Sequence, residues 1–302
     1  MWFWLSIIAL LCWSGSDIFS KIGCRDARDQ YAHLKMVIAV GTVMGLHAMY
    51  EIFIGGTVID FGMILTYLPV SALYILSMTI GYVGLRYIEL SVSSPICNSS
   101  GALVAVLFLC TGGISAVNGW QLAAVACVCI GVVALGFVEA HEDNELRAAR
   151  QEKSNFKYSK SWLALALPII YCLLDALGTF ADSLVLRTLN EDSANVAYEL
   201  TFLACAIACF IYVVVIKKQR LIPKMEAPKY LGAICETAGQ FAYIYAIGDE
   251  EHVMMAAPII SAYCVASVLW SRIFLKEKLT FKHYAAIAVV IIGVIILGIM
   301  DV

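Results

Sequence analysis

The chain alternates long apolar stretches with short polar interruptions, and every stretch is close to the length that crosses a bilayer. Ten can be marked, over residues 2–22, 35–54, 63–85, 91–112, 119–139, 161–186, 195–216, 228–247, 253–275 and 283–300. About 20 apolar residues in helical rise span the hydrocarbon core. Backbone groups in lipid must find partners inside the protein, which leaves helices or a closed barrel. Barrel strands alternate apolar and polar positions, and these runs do not. The pattern predicts an all-α integral membrane protein with ten transmembrane helices.

A longer pattern lies over the first. The stretch SVSSPICNSSGALVAVLFLCTGGISAVNGWQLAAVACVCIGVVALG returns, about half a chain later, as MMAAPIISAYCVASVLWSRIFLKEKLTFKHYAAIAVVIIGVIILG. Pro95 answers to Pro258, Ala123-Ala124 to Ala285-Ala286, and Gly131 to Gly293. Self-similarity of this kind decides architecture. It predicts a five-helix repeat over 1–139, a polar linker over 140–160, and a second five-helix repeat over 161–302. Five is odd, so the second repeat is expected to enter the membrane inverted, an architecture that places a substrate near the midplane.

Composition agrees with a lipid solvent. The 302 residues are 62% hydrophobic and 14% charged, with a mean hydropathy of +0.85; soluble domains carry roughly 25% charge. Under the ten-helix count every Lys and Arg except Arg187 falls on one side, counting Lys21, Arg86 and the linker with loops 7–8 and 9–10. Cations mark the cytoplasmic face. Both termini are therefore expected on the outer face of a cell (cytoplasmic) membrane, with the linker inside. The opening MWFWLSIIALLCWSGSDIFSKIG lacks the basic start and cleavage site of a secretory signal and is expected to stay as a first helix. The eleven cysteines are scattered through apolar runs without ligand spacing and are expected to be packing residues. Gly41-x-x-x-Gly45 offers a close-packing face, either within the monomer or toward a homodimer.

These features resemble the EamA domain of the drug/metabolite transporter superfamily. The resemblance rests on Pro258, the L-K-E-K-L-T element centred on Glu277, and the small-residue helix with Gly293 and Gly298. It extends over both five-helix units and is strongest in helices 8 to 10. The first half departs from it, with Gly112–Ser115 where the family usually carries an acidic residue. The resemblance implies a ten-helix carrier that moves small metabolites by alternating access.

Ionisable groups inside membrane helices are costly and point to function. Asp17 lies in the first helix of its half and Asp175 in the first helix of the other; Asp175 and Glu236 fall near mid-span. A carboxylate without an intrahelical cation is a candidate proton carrier, which nominates Glu236 and Asp175 for proton coupling. Asp17 has a competing reading as an i,i+4 pair with Lys21. Trp13 and Tyr171 sit four residues before Asp17 and Asp175, on the same helix faces. An aromatic face beside a carboxylate suits an organic cation such as a quaternary amine. Trp13, Asp17, Tyr74, Tyr82, Asn98, Tyr171, Asp175, Glu199 and Tyr263 are the candidate substrate-binding residues. Belts at the membrane surface account for Trp2, Trp4 and Trp120. Glu51, Asp182 and Glu199 lie nearer the outer ends, where water can reach them, and His47 reads as a satisfied core residue. Pro95 and Pro258 are expected to bend helices 4 and 9.

The functional expectation is a secondary active transporter of a small polar metabolite, by proton coupling or exchange, with a small molecule, the bilayer and protons as partners. Alternatives are an exporter of amino acids or drugs and, in another class, a membrane enzyme acting on lipid-linked substrates. No P-loop or histidine cluster supports an ATP-driven pump, an enzyme, a metal site or another cofactor. Nothing suggests nucleic acid.

Overall fold

The computed structural model describes residues 1–26, 29–87, 90–111, 118–140, 162–276 and 279–300. The linker beyond its first residue, the Gly112–Ser115 stretch and Glu277 lie outside them. The described chain is helical: α1 (Trp2–Cys24), α2 (Ala32–Tyr50), α3 (Phe61–Tyr87), α4 (Leu90–Asn98), α5 (Ser100–Cys110), α6 (Gly119–Ala140), α7 (Trp162–Val185), α8 (Glu191–Phe210), α9 (Pro223–Ile247), α10 (Val253–Ser261), α11 (Tyr263–Trp270) and α12 (Phe281–Met300). The pairs α4/α5 and α10/α11 each make one broken crossing, so the ten expected crossings are present. Among the described residues nine crossings are long and apolar enough for a bilayer by composition. The tenth, α9, starts at residue 223 rather than 228, and its first turns carry Lys224, Glu226 and Lys229.

Local chemistry sets the ends. The Asn190 side chain accepts from the Ser193 N–H at 2.8 Å, with Glu191 and Asp192 in the first turn of α8. A cap and acidic residues suit a helix N-terminus, and they start this crossing four residues earlier than hydropathy alone suggests. Pro223 sits in the first turn of α9, where its missing donor costs nothing. The prolines break the crossings one turn after themselves. Ser99 N–H bonds to the carbonyls of Pro95 and Ile96 at 3.2 and 3.3 Å, and Ala262 N–H to those of Pro258 and Ile259 at 3.0 and 3.1 Å. Both breaks are tightened turns rather than unwound segments.

The packing pairs helices across the two halves. α1 lies on α9, α3 on α7, α2 on α8, α6 on α12, and α5 on α10. Exchanging first-half crossings for their second-half counterparts leaves this set unchanged. The α6–α12 crossing makes the relation concrete. A Cβ on Gly131 would meet Val290 Cγ2 at 2.5 Å and the Ala286 carbonyl oxygen at 3.1 Å; one on Gly293 would meet Val128 Cγ2 at 2.7 Å and the Ala124 carbonyl oxygen at 2.9 Å. Those contacts are counterparts of each other, and they place the two helices antiparallel. Gly41 and Gly45 pack within the chain, against Phe202, Ala206 and Leu203 of α8. That close-packing face is thus covered by the same molecule.

Leu, Ile, Val and Phe side chains such as Ile8, Leu46, Phe53, Leu76, Ile130 and Ile292 point outward, as a lipid-facing surface requires. Trp4 and Trp120 are exposed, but Trp2 is buried and its ring stacks on His252 at 5.0 Å. The belt reading of Trp2 is corrected accordingly: a histidine supplied by the turn before α10 draws the ring inward. All eleven cysteines are free thiols.

Charge is also buried at the bundle end where α1 finishes and α9 begins. Lys35 Nζ lies 3.0 Å from Asp29 Oδ2 and 3.5 Å from Glu226; Lys229 Nζ lies 3.0 Å from Glu226 and 3.8 Å from Asp29. Two cations and two anions, each at least nine-tenths buried, balance in a square that ties the loop after α1 to α2 and α9. Nearby, Lys21 Nζ donates to the Leu85 carbonyl at 2.7 Å and Arg86 donates to the Asp29 carbonyl at 3.2 Å.

Candidate substrate-binding site

A cavity lies in the middle of the bundle, walled mainly by α1, α3, α4, α7, α9 and the α10/α11 crossing. Trp13, Asp17, Tyr74, Tyr82, Asn98, Tyr171, Asp175, Glu236 and Tyr263 all line it. Glu199 does not. It is fully buried between α8 and α2, where His47 Nδ1 lies 2.8 and 3.0 Å from its two carboxylate oxygens and Asn195 donates to it at 3.3 Å. Its position near a helix end suggested access to water; instead the His47 ring, one helix away, closes on it.

The carboxylates are held by hydroxyls. Asp17 accepts from Ser94 of α4 at 2.5 Å and from Ser267 of α11 at 2.7 Å. The i,i+4 reading with Lys21 is corrected: Asp17 turns into the cavity, while the Lys21 ammonium reaches the Leu85 carbonyl. Asp175 accepts from Ser100 at 2.7 Å, just past the α4/α5 break. Glu236 lies near Ser16 and within electrostatic reach of Asp17 and Asp175. Among the described residues no Lys, Arg or His lines the cavity.

The rings form much of the wall. Trp13 sits 5.0 Å from Tyr243 and 5.8 Å from Tyr263, centroid to centroid, and Tyr74 packs edge-on to Tyr198 at 6.0 Å. Glycines make room for them. A Cβ on Gly239 would strike the Trp13 indole, one on Gly81 would meet the Tyr171 ring at 2.9 Å, and one on Gly178 the Tyr74 ring at 2.8 Å. Trp13 and Tyr171, Asp17 and Asp175, Gly239 and Gly81 are each separated by the same number of positions along the chain. Each wall of the cavity therefore repeats one unit: a ring lying on a glycine of the facing helix, with a carboxylate one turn further on.

The reading of Asp182 as a residue near a helix end that water can reach is corrected. The residue has no exposed surface, and it accepts from Tyr67 at 2.7 Å and Tyr74 at 3.3 Å, beside Thr179 and Tyr243. The Tyr74 and Tyr243 hydroxyls bond to each other. The signal was present in the spacing. Asp175 and Asp182 are seven residues apart, as are Tyr67 and Tyr74, so each pair lines one helix face. Gln240, one turn after Glu236, also lines the cavity.

The sequence model described as the EamA-like transporter family matches residues 160–299. Among curated proteins none matches the chain. A crystal structure of another protein superposes with a TM-score of 0.65 at 12% identity, over 98% of this chain and 96% of that one; at that identity the likeness concerns the fold. The chain is thus a helical multi-pass bundle with a central cavity and a whole-chain fold relative, and its second half, residues 160–299, matches the EamA-like transporter family.

Proposed function

We propose that the protein is a secondary active transporter of a small organic cation, working by alternating access between two inverted five-helix repeats. The observation that carries the substrate class is the cavity wall: three carboxylates, Asp17, Asp175 and Glu236, among the rings of Trp13, Tyr171, Tyr243 and Tyr263, with no basic residue lining it among those described. A ring face in a desolvated site attracts a cation by about 2 kcal/mol, and a carboxylate supplies the counter-charge. An anionic substrate would be repelled by these three carboxylates with no basic side chain among the described lining residues to offset them.

The exchange-invariant helix pairing and the antiparallel α6–α12 crossing support the repeats over 1–139 and 161–302. The one-sided cations support outward termini, a cytoplasmic linker and residence in the cell membrane. Carboxylates held by serines rather than by fixed cations are free to trade a substrate ammonium for protons, which supports proton coupling through Glu236 and Asp175. The test is substrate-driven proton movement in vesicles loaded with purified protein, using tetramethylammonium as the first probe. Coupled movement that is lost in Glu236→Gln and Asp175→Asn is the expected result. Uptake unaffected by both substitutions would overturn the site assignment.

A further inference from the structure

Two residues that line the cavity each carry a fully buried polar atom with no hydrogen-bond partner in the protein. These atoms are the Tyr82 hydroxyl and the Gln240 side-chain Nε2, in residues 6% and 4% exposed. Leaving a buried donor unpaired is costly, and each is more than nine-tenths buried beside cavity hydroxyls that are paired: Ser94, Thr179, Tyr74 and Tyr243 all have partners. Their positions are not independent. Tyr82 follows Gly81, the seat of the Tyr171 ring, and Gln240 follows Gly239, the seat of the Trp13 ring. They are separated by the same number of positions as Trp13 and Tyr171. The repeating wall unit thus has a fourth member, an unpaired hydrogen-bonding group, once on α3 and once on α9.

We infer that Tyr82 and Gln240 are specificity-determining residues that hydrogen-bond an uncharged oxygen on the substrate, so that the preferred cargo is an ammonium bearing a hydroxyl or carbonyl. This rests on the organic-cation reading above and narrows it. The oxygen has to be uncharged because a carboxylate would enter a cavity already holding Asp17, Asp175 and Glu236, with no basic side chain on its described wall. Amino acids are disfavoured for that reason, and amino alcohols and their N-methylated forms are favoured. Because the unit occurs on both walls, an ammonium bound against either carboxylate finds such a group in the same cavity.

The test compares two probes of nearly equal size and charge, (2-hydroxyethyl)trimethylammonium and propyltrimethylammonium, by concentration-dependent thermal stabilisation of the purified full chain. The quantity read is the ratio of their apparent affinities. The hydroxyl probe is expected to bind about tenfold more tightly, the worth of one good hydrogen bond to a buried group. In a Tyr82→Phe/Gln240→Leu double variant that ratio is expected to fall to near one, whatever happens to affinity as a whole. Equal binding of the two probes by the unsubstituted protein overturns the inference and leaves the cation reading standing. A tenfold ratio that persists in the double variant likewise overturns it. Binding of neither probe, with the protein folded, overturns the cation reading and this inference together. Should the double variant not fold, the single variants are read the same way, a ratio unchanged in both being the overturning result.

Discussion

Asp182 is a carboxylate whose surroundings are almost wholly hydroxyl. Truncating it to Ala strands the Tyr67 hydroxyl in a dry interior, while Tyr74 keeps Tyr243, at about 1–3 kcal/mol for an unpaired buried group. We expect Asp182→Ala to lower the thermal midpoint measurably and Asp182→Asn, which still accepts from Tyr67, to lower it less. Asp17 and Asp175 make a different prediction. An ammonium binds their ionised forms, and protonation removes the counter-charge, so affinity for tetramethylammonium should rise with pH and fall in acid. Thermal stabilisation measured at two pH values checks the sign. An Asp17→Asn/Asp175→Asn variant should have a weaker pH dependence than the unsubstituted protein, the remainder coming from Glu236.

At the scale of helices, close crossings do much of the positioning. A Leu at Gly131 or at Gly293 would drive into Val290 and the Ala286 carbonyl, or into Val128 and the Ala124 carbonyl. Overpacking of that kind costs about 1–3 kcal/mol. Because the two contacts are counterparts, the losses in thermal stability should match, and a large difference between them would count against a two-fold relation of the halves. Much at this scale was legible in the sequence, since a run of 20 apolar residues is long and a repeated proline is a discrete mark. The start of α8 was not, because Asn190, Glu191 and Asp192 read as loop until the side chain is seen to cap. Hydropathy likewise understated α9, whose Glu226 and Lys229 are polar in sequence yet neutralise each other and the Lys35–Asp29 pair on folding. In the site, residues announced by charge or by i,i+4 partners were legible. Those set by long-range pairing were not: Glu199 meets His47 from another helix, and Ser267 reaches Asp17 from the far half of the chain.

For the whole molecule, the charge square at the end of α1 makes a prediction about both folding and transport. Glu226→Ala leaves Lys35 and Lys229 with one anion between them, and breaking a buried pair from one side costs about 3–5 kcal/mol. Loss of thermal stability in Glu226→Ala, eased by a second change Lys229→Met, is the expected result of a double-mutant cycle. The proposed topology is checked separately. A tag after Val302 should react with a membrane-impermeant reagent from outside intact cells, and a cysteine placed at Lys218 should react only after the cells are opened.

The α6–α12 crossing bears on how such a machine could turn over. When two related halves swap roles, most contacts between them have to be exchanged for their mirror counterparts, and each exchange is a barrier. A contact that is its own counterpart has nothing to exchange. Gly131 on Val290 and Gly293 on Val128 form such a contact, so under the proposed alternating access this crossing would stay shut through the cycle and act as the axle about which the rest rocks. Tying it together, with a disulfide between cysteines placed at Val128 and Gly293, should leave turnover running. A tie across the charge square, between positions 35 and 226, should stop it.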